Sequence, residues 1–341
     1  MNNSVVSKIL KYLFSIILTS IIIYFLFEHQ DPTELFNELK KVDFNWIFLS
    51  MIFGAWAYIS RGIRWKIMLE AIDYKTSNIN NIAAVSIGYF TNLFVPRAGE
   101  ITRCTALNQK EKIPLNKLFG TIIVERLIDF MVLVFLLLFT LITKHKIIND
   151  FYLAIQNQNS EIKSQKNILV VIATFTLLIL FIFLFKKKIK KLSFYNKIKQ
   201  FLDGLKEGFK SVGNLKNKTL FWIHTFIIWL MYFLMTYVCF FSMNETSHLS
   251  LIDGVFILVL GGIGMVIPTP GGIGSYHAIV MIGLAVLGIG YISFGSENTT
   301  ANPSLIFPTI VHIAQTLVAI IMGVISLLIL FIFNNKKSND K

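Results

Sequence analysis

Charge is what this sequence has little of: 15% of its 341 residues are Asp, Glu, Lys or Arg, against roughly 25% in an ordinary soluble domain. A chain that is 55% hydrophobic and 14% aromatic holds more apolar surface than a water-soluble core absorbs. Cysteine is scarcer still. The two present, Cys104 and Cys239, form neither a disulfide framework nor a metal-ligand pattern, so no metal and no cofactor is expected. The sequence also lacks an Asp-x-Asp pair, a nucleotide loop and a nucleophile with an adjacent base, which counts against an enzyme. Strict apolar/polar alternation is missing too. Runs such as MVLVFLLLFTLIT (131–143) and ILVVIATFTLLILFIFLF (168–185) exclude the pattern of a membrane β-barrel.

What the chain does have is long apolar runs. A helix crosses hydrocarbon with about 20 mostly apolar residues and satisfies its own backbone there. Candidate spans are 8–27, 45–63, 82–95, 117–143, 167–185, 219–243, 251–267, 276–294 and 304–333. The expected fold is therefore all-α: a polytopic helical membrane protein with about seven to nine membrane segments in one domain over 1–341. The first run lacks a small-residue cleavage site before Glu28 and reads as an uncleaved helix.

The formal net charge of +13 would suit a nucleic-acid partner, but its distribution argues against one, because eleven lysines fall between Lys186 and Lys218, directly after an apolar run. Such a loop marks the cytoplasmic side and is attracted to an anionic lipid surface. With 186–218 and Lys336 inside, both termini are cytoplasmic in the inner (plasma) membrane. The segments 61–81 and 103–117 are also inside, and 28–44, 144–166, 244–250 and 295–303 are outside. On this assignment 82–95 returns to the side it entered from, turning near Phe94 to Glu100. The pair 251–267 and 276–294 also returns, breaking at Ile267 to Gly274. Two Pro/Gly-broken hairpins entered from opposite faces are what an inverted repeat produces, and such paired breaks point to a transporter's substrate site. They share an apolar-apolar-Pro-x-x-Gly pattern, Phe94 to Gly99 and Val266 to Gly271.

Three groups of residues are candidates for binding. Pro96-Arg97-Ala98-Gly99-Glu100-Ile101-Thr102-Arg103 places two arginines and a glutamate beside a helix break. The planar fork of arginine suits phosphate, and a helix N-terminus after the break would add N–H donors; the plainer reading is a basic interfacial turn neutralised by Glu100. Glu125-Arg126-Leu127-Ile128-Asp129 puts two carboxylates one turn apart within a span, where ionisable residues mark function or pair with one another. Arg126 either neutralises them or pairs with Glu100. The uncharged break at Pro270, Gly271, Gly272 and Gly274 lets backbone approach a ligand, and His277 just after it is either a phosphate donor or a structural histidine. Arg61 and Arg64, beside Trp65, read as an anchor at a cytoplasmic helix end, and His224, His312 and Gln315 as interhelical hydrogen-bonders.

These residues resemble the transmembrane, flippase-like region of lysylphosphatidylglycerol synthase and its stand-alone bacterial and archaeal relatives. The resemblance rests on Arg64-Trp65, on Asn92-Leu93-Phe94-Val95-Pro96-Arg97-Ala98-Gly99-Glu100, on Glu125 to Asp129 and on Pro268 to Gly274, in an order that covers nearly the whole chain. It adds Asn92 to the candidate site and implies translocation of a lipid with a phosphate-bearing headgroup. It does not imply aminoacyl transfer, since no soluble transferase domain is expected here. The relatives commonly carry a glutamate where this chain has His277, which argues against a lysyl-lipid substrate if that acid meets a cationic headgroup. The competing readings are a membrane-embedded transferase acting on a lipid phosphate, and an accessory subunit of envelope synthesis. Which lipid, which energy source and whether the protein is a homo-oligomer are left open.

Overall fold

The computed structural model describes residues 3–28, 30–158, 215–292 and 301–333. Every regular element among them is helical. In chain order they are α1 (Asn3–Phe27), α2 (Pro32–Lys40), α3 (Phe44–Glu70), α4 (Asn78–Phe94), α5 (Gly99–Glu111) and α6 (Leu115–Gln158), followed by α7 (Lys218–Tyr237), α8 (Leu251–Val266), α9 (Ser275–Val286) and α10 (Pro303–Leu327). Short 3-10 turns follow α7 and precede α9, and a π-helical turn continues α10. Two compact units emerge, Met1–Thr140 with Leu215–Lys341, and Leu141–Asn214. The described part of the second is the remainder of α6.

Local chemistry sets the helix ends. Asp43 caps α3 by accepting from Asn45 N at 3.0 Å, and Ser250 opens α8 in a capping box, its own N–H donating to Asp253 at 2.9 Å. Three helices are long and apolar enough to cross a membrane, α3, α7 with its 3-10 extension, and α10, and a fourth if α1 and α2, bent by 84°, count as one span. The expected seven to nine segments thus resolve, among the described residues, into these few full-length spans and shorter apolar helices, α8 and α9 among them. The expected span 167–185 and most of the Lys-rich loop lie outside the described residues. Large apolar side chains face outward, Phe48 at 63% exposure and Phe226 at 67%. Outward apolar surface of that kind suits lipid contact, not water.

Both expected hairpins exist as packed helix pairs, though their limits differ from the hydropathy reading. The first has α4 and α5 as arms, so its second arm is the polar stretch 99–111, which hydropathy alone leaves unassigned. Its open ends lie together: Glu111 accepts from Ser77 N at 3.1 Å and from Asn80 Nδ2 at 2.7 Å. Its arms meet at Gly88, where a Cβ would stand 2.8 Å from Gly99 O. The second has α8 and α9 as arms, and a Cβ at Gly264 would stand 2.9 Å from Tyr276 Cα. Small residues at such crossings let helices approach where lipid gives no hydrophobic drive. A core of Trp65, Leu69, Ala84, Cys104, Leu107 and Leu118 joins α3, α4, α5 and α6.

Loops assigned by charge to one side are neighbours in space. Asp43 N donates to Ser242 O at 3.0 Å, Asn302 N to Gln30 Oε1 at 3.2 Å, and Lys216 Nζ to the Asp73 carboxylate at 2.8 Å. The first contact joins an expected outside segment to the end of the expected span 219–243, the second joins two segments expected outside, and the third two segments expected inside. Lys216 holds the Asp73 carboxyl below its ordinary value through that hydrogen bond.

Candidate functional site

The two breaks meet. The Pro270–Gly272 turn lies against the end of α4, with the Cβ position of Gly271 3.3 Å from Leu93 Cδ2. Arg97 Nη2 donates to Val266 O at 3.2 Å. Arg97 holds φ at +63° and Gly271 at +58°, a region that costs an ordinary residue energy and that recurs at functional sites. The second break satisfies its own polar groups, Thr269 Oγ1 meeting Ser275 Oγ at 2.7 Å, and α1 reaches it through Ser15, whose hydroxyl donates to Pro268 O.

Beside this junction three helices assemble a buried ion network. Arg61 and Arg64 project from α3, Arg103 from α5, and Glu125, Arg126 and Asp129 from α6. Glu125 accepts from Arg61 at 2.9 Å and from both Nη atoms of Arg103, at 3.2 and 2.8 Å. Arg126 Nη2 joins it at 3.2 Å. Asp129 accepts from Arg61 at 2.9 Å and from both Nη atoms of Arg64, at 2.8 and 3.1 Å. Glu125 and Arg64 are fully buried and Arg61 and Arg103 nearly so. Rings close over the arginines, Arg103 lying 4.1 Å from the Trp65 ring centre. Carboxylates at this depth are accommodated only where such partners offset their desolvation, and here four guanidinium groups surround Glu125 and Asp129.

A cavity of about 500 Å³ opens between this network and the breaks. Asn92, Pro96, Arg97, Glu100, Arg126, Asp129, Gly271 and Gly272 line it, along with Arg61. Three arginines against the two carboxylates Glu100 and Asp129 leave its wall net positive. Arg97 differs from the other two: it is exposed, and among the described residues it faces no carboxylate. The remaining candidates sit elsewhere. Arg103 and Glu125 are behind the wall, engaged with each other. Gly99 packs on Gly88, and its N–H donates to Asn92 Oδ1 at 2.7 Å, so one of the N–H groups at the start of α5 is already engaged. Pro270 opens the 3-10 turn and Gly274, at φ +82°, precedes α9. His277 does not line the cavity; its Nδ1 accepts the Gly274 N–H at 3.3 Å and so caps α9.

Two expectations need correction. Arg61 and Arg64 are not an interface anchor, because α3 runs on to Glu70 and buries both against α6. The signal available was their three-residue spacing, which puts both on one face. His312 makes no interhelical hydrogen bond; both its ring nitrogens lack a partner among the described residues, and it lines the cavity. His224 does make one, with Ser60 Oγ at 2.8 Å. No group of three or more metal-ligating side chains occurs among the described residues.

Described residues whose regular elements are all helical, with membrane-length apolar spans and a charged cavity where two broken hairpins meet, define an integral membrane protein with an internal polar site. The chain belongs to the family of the lysylphosphatidylglycerol synthase TM region, whose model matches residues 12–323. It is similar to a UPF0104 membrane protein of Methanocaldococcus jannaschii, 25% identical over 137 residues, 39% of this chain. The matched stretch spans 41% of that protein. No solved structure matches the chain.

Proposed function

We propose that the protein moves a lipid with a phosphate-bearing headgroup between the leaflets of the cell's inner membrane. The observation that carries this reading is the net-positive cavity at the meeting of the two breaks. A headgroup crossing hydrocarbon needs a polar path, and backbone breaks at the contact of two hairpins are where transporters build one. Arg97 supplies the cation without a carboxylate, and its planar fork matches a phosphate. Arg126, 42% exposed at its side chain and tied to Glu100 at 3.7 Å, is the second phosphate contact. Glu125 and Arg103 position the wall from behind. The Lys-rich segment 186–218 rests on anionic lipid at the cytoplasmic face, and both termini lie on that side.

The test is leaflet exchange in liposomes. Purified protein is reconstituted with acyl-labelled phospholipids, and accessibility of the label to an outside quencher is followed over time. Protein-dependent exchange supports the reading. A covalent change in the lipid would favour a transferase instead, and no exchange with any phosphate-bearing lipid would reject translocation.

A further inference from the structure

The cavity wall carries hydrogen-bonding groups that the phosphate site does not use. His312 is 5% exposed and neither ring nitrogen has a partner among the described residues. Trp229 Nε1, also buried, has none either. Both residues line the cavity. His312 sits under the second break, its Cε1 3.7 Å from the Cβ position of Gly272 and its ring 5.2 Å from that of Tyr276. Thr269, Gln315 and Thr316, which are polar and uncharged, line the same cavity. Buried donors and acceptors left unpaired are costly, so native structures seldom leave them without a water or ligand partner.

The donor inventory restricts what that ligand is. Indole N–H only donates, while a neutral imidazole donates from one nitrogen and accepts at the other. An ammonium group has donors alone and would leave the indole N–H of Trp229 without an acceptor. A hydroxyl both donates and accepts, and matches both side chains. We propose that Trp229 and His312 form a subsite for an uncharged, hydroxyl-bearing headgroup moiety, a glycerol or a sugar, on the lipid whose phosphate meets Arg97. The occupant's being a lipid rests on the translocation reading; the preference for hydroxyls rests on these two side chains.

The test separates the two. Purified full-length protein in detergent is incubated with equal amounts of phosphatidylglycerol, phosphatidylinositol, phosphatidylethanol and phosphatidylethanolamine, and the retained lipids are counted by mass spectrometry. Phosphatidylethanol carries the same headgroup charge as phosphatidylglycerol without the hydroxyls, so charge cannot mimic the result. The wild type is expected to retain the two hydroxylated lipids about fivefold over phosphatidylethanol, the factor of one net hydrogen bond. Trp229→Phe, which keeps an aromatic ring and loses the N–H, should bring the ratio toward one, as should His312→Leu. His312→Gln, with both a donor and an acceptor, should preserve it. Equal retention by the wild type, preference for phosphatidylethanolamine, or an unchanged ratio in Trp229→Phe would overturn the subsite. Leaflet exchange on the same preparations reads the other claim: a preference without exchange would overturn translocation and leave the subsite standing.

Discussion

Glu125 shows how one side chain organises a site it does not line. It is fully buried and accepts from three arginines, so changing it to an amide leaves like charges facing one another in a medium that does not solvate them. Breaking a buried pair in this way costs about 3–5 kcal/mol. Glu125→Gln should therefore lower the melting temperature of the detergent-solubilised protein strongly, and a melting curve matching wild type would show that the network does not hold α3, α5 and α6 together. Arg97→Ala is expected to do the reverse: an exposed side chain with a single carbonyl contact should leave the melting curve within error while lipid exchange falls. Asn92→Ala should lie between, costing about 1 kcal/mol for the lost cap on α5, read by the same curve.

At the scale of elements, the hairpins depend on close backbone approach. A methyl at Gly88 or Gly264 would meet backbone atoms of the opposing arm at 2.8 and 2.9 Å, and neither neighbour is a flexible side-chain end. Gly88→Ala and Gly264→Ala should each destabilise by roughly 1–3 kcal/mol through overpacking and open the cavity edge, seen as faster quenching of Trp229 fluorescence by a water-soluble quencher. Much of this arrangement was legible in the sequence. Proline and glycine marked both breaks, and the inside placement of 61–81 and 103–117 required the first hairpin to return, as the Glu111 contacts to Ser77 and Asn80 show it does. Other parts were not legible. The second arm, 99–111, is too polar for hydropathy to find, because Arg103 is buried by pairing and not by being apolar. The roles of Arg61 and Arg64 were hidden for the same reason: a cation near a helix end reads as snorkelling until its partner on a distant helix is known. Asn92 and Gly99 stood in the motif, yet only the fold shows that one caps the other.

The larger unit brings the two breaks to one point, and large apolar side chains such as Phe48 and Phe226 face outward from it. Its sidedness is open to direct labelling. The Asp73 to Lys216 contact brings these loops together, and the orientation proposed above from the charge pattern assigns them to the cytoplasmic side. Cysteines introduced at Asp73 and Lys216 should react only with reagent supplied from inside, and one at Asn149 only from outside. Reaction of Asp73→Cys and Asn149→Cys from the same side would contradict the assignment.

The central claim, that a phosphate-bearing lipid crosses through this cavity with its phosphate on Arg97, is tested most directly by the rate of leaflet exchange in proteoliposomes. The wild type should exchange labelled phosphatidylglycerol well above protein-free liposomes, Arg97→Ala should lose about tenfold or more, as for one charge-assisted contact, and Arg97→Lys should recover part of the loss. Equal rates for wild type and Arg97→Ala, in preparations with matching melting curves, would contradict it.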